Sequence, residues 1–476
     1  MKKQLFCILF VFSYVLLKSQ AYVTTTVVSG LSYPVAFTFA PTGEVFVTEK
    51  AGVIKKFSSS FASLGTFYNL SDSTFDDFER GLLGIEVDPD YATNGFVYAY
   101  YNHRCCNPSP TGSQFIRIVR FTDVANVGTN PTVILSIPVS NSIPGNHVGG
   151  NLRFRPSEPN KIYLSIGELA TPSNSQLLSN PFGKILRINK DGTIPTDNPF
   201  YDNGNVSLGN DDRIWSYGHR NPFDFSFSTL NDSLYISENG AVTWDEVNYG
   251  RKGKNYGWQG CEGFNQYNST SPCTNPNYTN PMVVWGSPLP AITGIVHYTS
   301  NAIPSLTNHL LVGDNDYGRI YDLVLGNAPF YDTVLSKTQM VDLTASGTGG
   351  LTTLKQGNNG CIYAMNGGYT ANGRIFQLCP PNVSVAEGFG AFAYAYLQPN
   401  PSSETATLKF KTNHETEISL QLSDLSGREI FKMEGKSLLS QENEIQISVK
   451  DLPNGIYILN ANGSNEKRVL RLVVNH

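Results

Sequence analysis

His147 stands in the string Asn146-His147-Val148-Gly149-Gly150. A neutral imidazole takes up a proton readily near pH 7, which suits an alcohol that loses its hydroxyl proton as a hydride departs. The two glycines allow backbone to approach a flat ligand closely. A histidine that only caps a turn is the plainer reading of the same string. Further on, Arg220 and Asn221 follow Trp215-Ser216-Tyr217-Gly218-His219. A guanidinium is always charged and offers a fork of donors, so it can hold an oxygen on which negative charge develops. Asn221 adds a donor and an acceptor. The structural alternative pairs Arg220 with a carboxylate of the scaffold, and His219 has no role that its position predicts. A third string runs Glu238-Asn239-Gly240-Ala241-Val242-Thr243-Trp244-Asp245-Glu246. It joins a glycine turn to carboxylates, and Ca²⁺ takes about six to eight hard oxygens from such sources. Asp245 and Glu246 either help to hold an ion or accept hydrogen bonds from the amides of the turn. Trp285 is a flat wall for a flat ligand or a core side chain, with equal claim to each.

Positioning such groups needs a large rigid scaffold. The chain has 476 residues, too many for one ordinary core, with 43 Gly, 27 Pro and 12% aromatic residues. That composition favours an all-β architecture. From about residue 22 to 380 a strand–turn–strand unit recurs. The units are VAFTFAPTGEVFVTEKAGVIKKF, LLGIEVDPDYATNGFVYAYY, LRFRPSEPNKIYLSIGE, FSFSTLNDSLYISENG, HLLVGDNDYGRIYDLVL and LTTLKQGNNGCIYAMNGG. They predict a six-bladed β-propeller over 22–380, with a large irregular β-sandwich as the competing fold. Residues 381–396 read as a linker. Short alternating strands and Pro-Asn-Pro, Ser-Gly and Asn-Gly turns over 397–476 predict a small C-terminal β-sandwich.

Six strings in order carry a resemblance: ERGLLGIEVDPDY, NHVGGNLRFRP, GKILRINKDGTIPTDNPF, IWSYGHRNPFDFSF, SENGAVTWDEVN and GKNYGWQG. Together they resemble the glucose/sorbosone dehydrogenase family, six-bladed propellers that use pyrroloquinoline quinone (PQQ) and Ca²⁺. The resemblance implies that His147 is the catalytic base. It implies that Arg220 and Asn221 contact PQQ, with Trp285 beside it. Gly240 and Ala241 would give carbonyls to the cofactor-bridging Ca²⁺, and Asp245 and Glu246 would help to hold this or a second ion. The function implied is oxidation of a sugar or polyol hydroxyl by hydride transfer to PQQ. Departures are concentrated on the anion-binding side. Asp314 and Asp316 lie where family members have a Lys, and Lys355 is the cation nearest the place of an Arg-x-Arg pair. Asn146 replaces Asp, and Gly167-Glu168-Leu169 replaces Gly-Asp-Gln. These changes predict a rearranged cofactor site, or else a non-catalytic surface propeller that binds carbohydrate or protein. A third reading is a Ca²⁺-dependent hydrolase that pairs His147 with Glu168 or Asp245.

The tail resembles the C-terminal sorting domain of type IX secretion. The carriers are Pro399-Asn400-Pro401, Asp424-Leu425-Ser426-Gly427 and Leu452-Pro453-Asn454-Gly455-Ile456-Tyr457. This implies the type IX machinery as a partner and a secreted or surface-attached product. Residues 1–21 fit a signal peptide, with Lys2 and Lys3, an apolar run from Leu5 to Leu17, and Ser19 and Ala21 before the cut. No transmembrane segment is expected in the mature chain. Export makes disulfides plausible: Cys261 with Cys273, Cys361 with Cys379, and a strained bridge between Cys105 and Cys106. The formal charge of −5 argues against nucleic-acid binding.

Overall fold

The computed structural model describes residues 22–104, 112–205, 208–344, 349–368, 370–380, 392–412, 415–424, 427–438, 442–463 and 467–476. The expected leader, the Cys105–Cys106 pair and most of the expected linker lie outside these residues. The chain divides into two compact units, residues 1–381 and 382–476.

Among the described residues, six four-stranded antiparallel sheets build the first unit. We number them 1 to 6 by their lead strands: Pro34–Phe39, Leu82–Val87, Leu152–Arg155, Pro222–Phe227, Ile292–Tyr298 and Leu351–Gln356. Sheets 1 to 5 each run outward along the chain. Sheet 6 borrows its outer strand, because Val23–Leu31 pairs with Gly373–Cys379. The lead strands lie beside one another in sequence, and that of sheet 6 returns beside that of sheet 1. Position in the sheet explains the text of each strand. Ile292–Tyr298 is buried along its whole length, its Ile, Val and Tyr interrupted only by Thr293, Gly294 and His297. Thr333–Asp342, at the outer edge of sheet 5, has no buried residue and is largely polar. Core packing lies between neighbouring sheets. Tyr100 and Ile118 of sheet 2 meet Leu164 and Leu186 of sheet 3. Tyr235 and Val247 of sheet 4 meet Leu310 and Val312 of sheet 5.

A buried charge network links the lead strands. Arg153 on sheet 3 bonds Asp224 on sheet 4 at 2.6 Å and lies 3.6 Å from Glu86 on sheet 2. Lys355 on sheet 6 pairs with Glu86 at 3.1 Å. The Thr38 hydroxyl of sheet 1 donates to Glu86, and the Ile295 amide of sheet 5 donates to Asp224.

The second unit has a three-stranded sheet, Phe392–Gln398, Thr405–Thr412 and Glu442–Ser448. Its four-stranded sheet orders Glu429–Leu438, Thr416–Asp424, Gly455–Asn462 and Lys467–Val474. Leu408, Phe410, Leu420, Leu422, Leu459 and Leu472 share one core between them. Strand Phe392–Gln398 begins inside the stretch that reads as linker, where alternating Ala and aromatic residues show no clear register. No helix among the described residues is long and apolar enough to cross a membrane.

Candidate active site

A cleft of about 300 Å³ opens where the lead strands begin. This is the lower end of the range for small-ligand sites, roughly 300–1,000 Å³. Its walls come from two places in the sheets: the segment entering a lead strand, and the turn after a second strand. The first kind supplies Glu79, His147, Arg220 and Thr293; the second supplies Lys50, Asn239, Asp316 and Gly368. Residues far apart in sequence therefore meet at one mouth.

His147 is held on three sides. Its backbone is left-handed, with φ of 55°, which is costly for a residue with a Cβ. The Glu79 carboxylate accepts its amide N–H at 2.6 Å. Nδ1 lies 2.6 Å from Glu168 Oε1, and Nε2 lies 2.9 Å from the Arg220 guanidinium. A guanidinium only donates. Nε2 must therefore carry the lone pair, and Nδ1 carries the proton that it donates to Glu168. The ring is neutral, oriented, and aims its basic nitrogen into the cleft. Glu168 is fully buried, and its other oxygen accepts the Thr171 amide at 2.6 Å. Of the two acids weighed as partners of His147, Glu168 is the one in contact. A Cβ on Gly167 would strike the His147 carbonyl, so only glycine lets these two segments meet.

Arg220 also donates to the Asn239 carbonyl at 3.0 Å, and its guanidinium lies 5.6 Å from the centre of the Trp258 ring. Its backbone amide donates to Glu238. The same carboxylate accepts from His219 Nδ1 at 2.9 Å, so buried His219 helps to fix the segment carrying Arg220. Asn221 Oδ1 accepts the Gly149 amide at 3.1 Å and ties the His147 loop to the Arg220 segment.

The Gly240 turn behaves differently from expectation. Four successive amides, Ala241 to Trp244, converge on Glu262 Oε1 at 2.6–3.3 Å. Such a nest holds an anion. Glu262 is brought there by strand Cys261–Glu262, next to the Cys261–Cys273 disulfide. Asp245 accepts the amides of Gly240 at 2.9 Å and Ile292 at 3.2 Å, so its carboxylate is occupied by backbone. Burial raises its pKa to about 6. Glu246 is pushed up to about 8, first by burial and then by Glu238, with Glu262 adding to it. Glu262 Oε2 and Asn248 Oδ1 are buried acceptors with no partner. Carboxyls crowded beside unsatisfied oxygens fit a hard cation at Glu246, near the Gly240 turn, which would let them ionise. No three His, Cys, Asp or Glu side chains among the described residues are close enough to cage a metal alone, so backbone carbonyls would have to complete the shell.

Three expectations need correction. Trp285 does not line the cleft. It lies on the outermost strand of sheet 4, packed edge-on to Tyr321, and Trp258 is the aromatic beside Arg220. Asp314 does not face the cleft either; it accepts the Tyr317 and Arg319 amides and the Tyr321 hydroxyl, leaving Asp316 as the exposed acid at the rim. Lys355 is consumed by Glu86. Lys50, Glu79, Asn239 and Trp258 belong to the site although their own positions in the sequence do not announce it. Of these, Glu79, Asn239 and Trp258 lie inside strings that carry the family resemblance. Disulfides join Cys261 to Cys273 and Cys361 to Cys379, as their spacing suggests.

Residues 31–377 match the family described as glucose/sorbosone dehydrogenase, and 396–475 match the secretion system C-terminal sorting domain. Quinoprotein glucose dehydrogenase B of Acinetobacter calcoaceticus is 30% identical over 272 residues, 52% of this chain and 54% of that protein. The match thus spans about half of the Acinetobacter enzyme. An aldose sugar dehydrogenase of Escherichia coli is 27% identical over 289 residues, 60% of this chain and 75% of its own length. Among solved structures, the PQQ-bound aldose sugar dehydrogenase of Streptomyces coelicolor superposes with a TM-score of 0.59 at 22% identity. That match covers 76% of this chain and 99% of the Streptomyces chain.

Proposed function

Because the chain belongs to the glucose/sorbosone dehydrogenase family, we propose that it is an exported six-bladed propeller that oxidises a sugar or polyol hydroxyl with PQQ and Ca²⁺. The observation that carries the reading is the triad of contacts Glu168–His147–Arg220 in the cleft. The donor set suits the quinone end of PQQ: Arg220 and Asn221 on one side, and Gly149 and Gly150 where a flat ring needs close backbone. When bound, PQQ supplies the hydride acceptor. His147 Nε2 accepts the substrate's hydroxyl proton once Arg220 swings from it toward the cofactor. The resulting imidazolium is stabilised through Nδ1–H by Glu168, which keeps the ring in place throughout. Gly240 and Ala241 carbonyls with the Glu246 carboxylate would hold Ca²⁺, while Asp245 orients the turn by accepting the Gly240 amide. Phe78, 70% exposed at the rim of the cleft, offers a face for a sugar ring. The sorting domain supports export by type IX secretion, to the surface or the medium.

The test is a titration of the mature protein with PQQ in the presence of Ca²⁺, followed by absorbance of the quinone. Saturable binding at micromolar cofactor, and aldose-dependent dye reduction by the loaded protein, are expected. Absence of binding would favour a surface propeller that holds glycan without oxidising it.

A further inference from the structure

We infer that Lys50 is the counter-ion of a PQQ carboxylate, standing in for cations that the sequence lacks at their expected places. This rests on the PQQ reading above. PQQ carries three carboxylates, and enclosing them without matching cations costs far more than a single hydrogen bond returns. Arg220 and Lys50 are the basic side chains among the residues that line the cleft. Arg220 lies on the sheet 4 side beside His147 and Asn239, where the reading above gives it to the quinone end rather than to a carboxylate. Lys355, the cation nearest in sequence to the missing pair, is committed to Glu86. Lys50 comes from sheet 1, whose lead strand lies beside that of sheet 6, so the charge has moved to the adjoining sheet.

The geometry around Lys50 is built rather than incidental. Its amide donates to the Tyr33 carbonyl at 3.0 Å, and its carbonyl accepts from Leu82 at 2.9 Å, pinning it between sheets 1 and 2. A Cβ on Gly81 would run into its carbonyl and its Cγ, so glycine there leaves room for the lysine stem. Nζ donates to the Asp76 backbone carbonyl at 2.6 Å. Among the described residues, no carboxylate lies within ion-pair distance of Nζ. Of the three acids whose charge it feels, Asp77 pairs with Arg80 at 2.8 Å and Glu79 holds the His147 amide, while the Asp76 carboxylate stands beyond ion-pair distance. An ammonium half-buried in the wall of a ligand cleft with two unused donors is placed to take an anionic group.

The experiment compares binding of PQQ with that of phenanthroline-5,6-dione, a quinone of similar shape without carboxylates. Quinone absorbance reports both. Lys50→Met should weaken PQQ binding about tenfold or more and leave the dione unaffected, and Lys50→Arg should restore most of the loss. Circular dichroism and thermal melting of each apo variant establish that it is folded. If Lys50→Met does not fold, Lys50→Gln replaces it, since its amide keeps a donor for the Asp76 carbonyl. Equal PQQ affinity in the folded variant and the unmodified protein overturns the role of Lys50 alone. Failure of the unmodified protein to bind PQQ overturns this inference together with the cofactor reading.

Discussion

At the scale of single residues, His147 shows how much of a site depends on what stands behind it. Its basic nitrogen faces the cleft because Nδ1–H is tied to Glu168 at 2.6 Å. An amide in place of that carboxylate would still fill the space but would lose the charge that stabilises an imidazolium. Glu168→Gln should therefore lower kcat by about 10²-fold or more, with a smaller change in KM. Steady-state kinetics of the PQQ-loaded protein check this, and a loss confined to KM would place Glu168 in substrate binding instead. His147 is legible from its string, and Glu168 is visible as a departure from a family pattern and as one of two acids that could pair with His147. Lys50 is not legible, because its relevance comes from the meeting of turns on different sheets, whereas Asn239 stands inside a quoted string without a role that its position predicts. No local spacing encodes that meeting.

At the scale of elements, the connections between sheets carry both the site and some of the weak points. His297, on the lead strand of sheet 5, is buried with Nδ1 on the Ser228 hydroxyl at 2.8 Å and Nε2 without a partner. Burial lowers its pKa from 6.5 to about 4. The unfolded chain therefore takes up a proton on this ring before the folded chain does. Stability from this residue is present above pH 6.5 and is lost as the pH falls toward 4. Up to about 3 kcal/mol is at stake, since each pH unit between the folded and unfolded pKa values is worth about 1.4 kcal/mol. Urea denaturation at pH 7 and pH 4.5 should give a smaller acid loss for His297→Gln than for the unmodified chain. Five of the six strand–turn–strand units include the lead strand of their sheet. The unit HLLVGDNDYGRIYDLVL spans the second and third strands of sheet 5 instead. Its lead strand, Ile292–Tyr298, follows a Pro-rich stretch and is joined to the second strand by a longer connection, 299–308, that holds a 3-10 turn at Pro304–Leu306. The Gly240 turn is legible as a turn. Its filling by Glu262 is not, because that acid arrives from a disulfide-bound strand on a later loop.

For the whole molecule, the charges joining the lead strands matter more than any single sheet. Lys355→Met would leave Glu86 buried beside Arg153 with half its compensation removed. Loss of one partner from a buried ion pair costs roughly 3–5 kcal/mol. A fall of that order in unfolding free energy of the first unit, followed by chemical denaturation, is the expected result. A change below about 1 kcal/mol would show that Arg153 alone satisfies Glu86. The pairing of Val23–Leu31 with Gly373–Cys379 sets a timetable for assembly. Strand Val23–Leu31 is synthesised about 340 residues before its partner, and until then it must wait as an unmated edge. Its text suits the wait. Thr24, Thr25 and Thr26 are exposed and polar even in the finished sheet, which makes the strand a poor template for a stray chain. A product truncated before Gly373 would keep sheets 1 to 5 complete and still have nowhere to put its beginning.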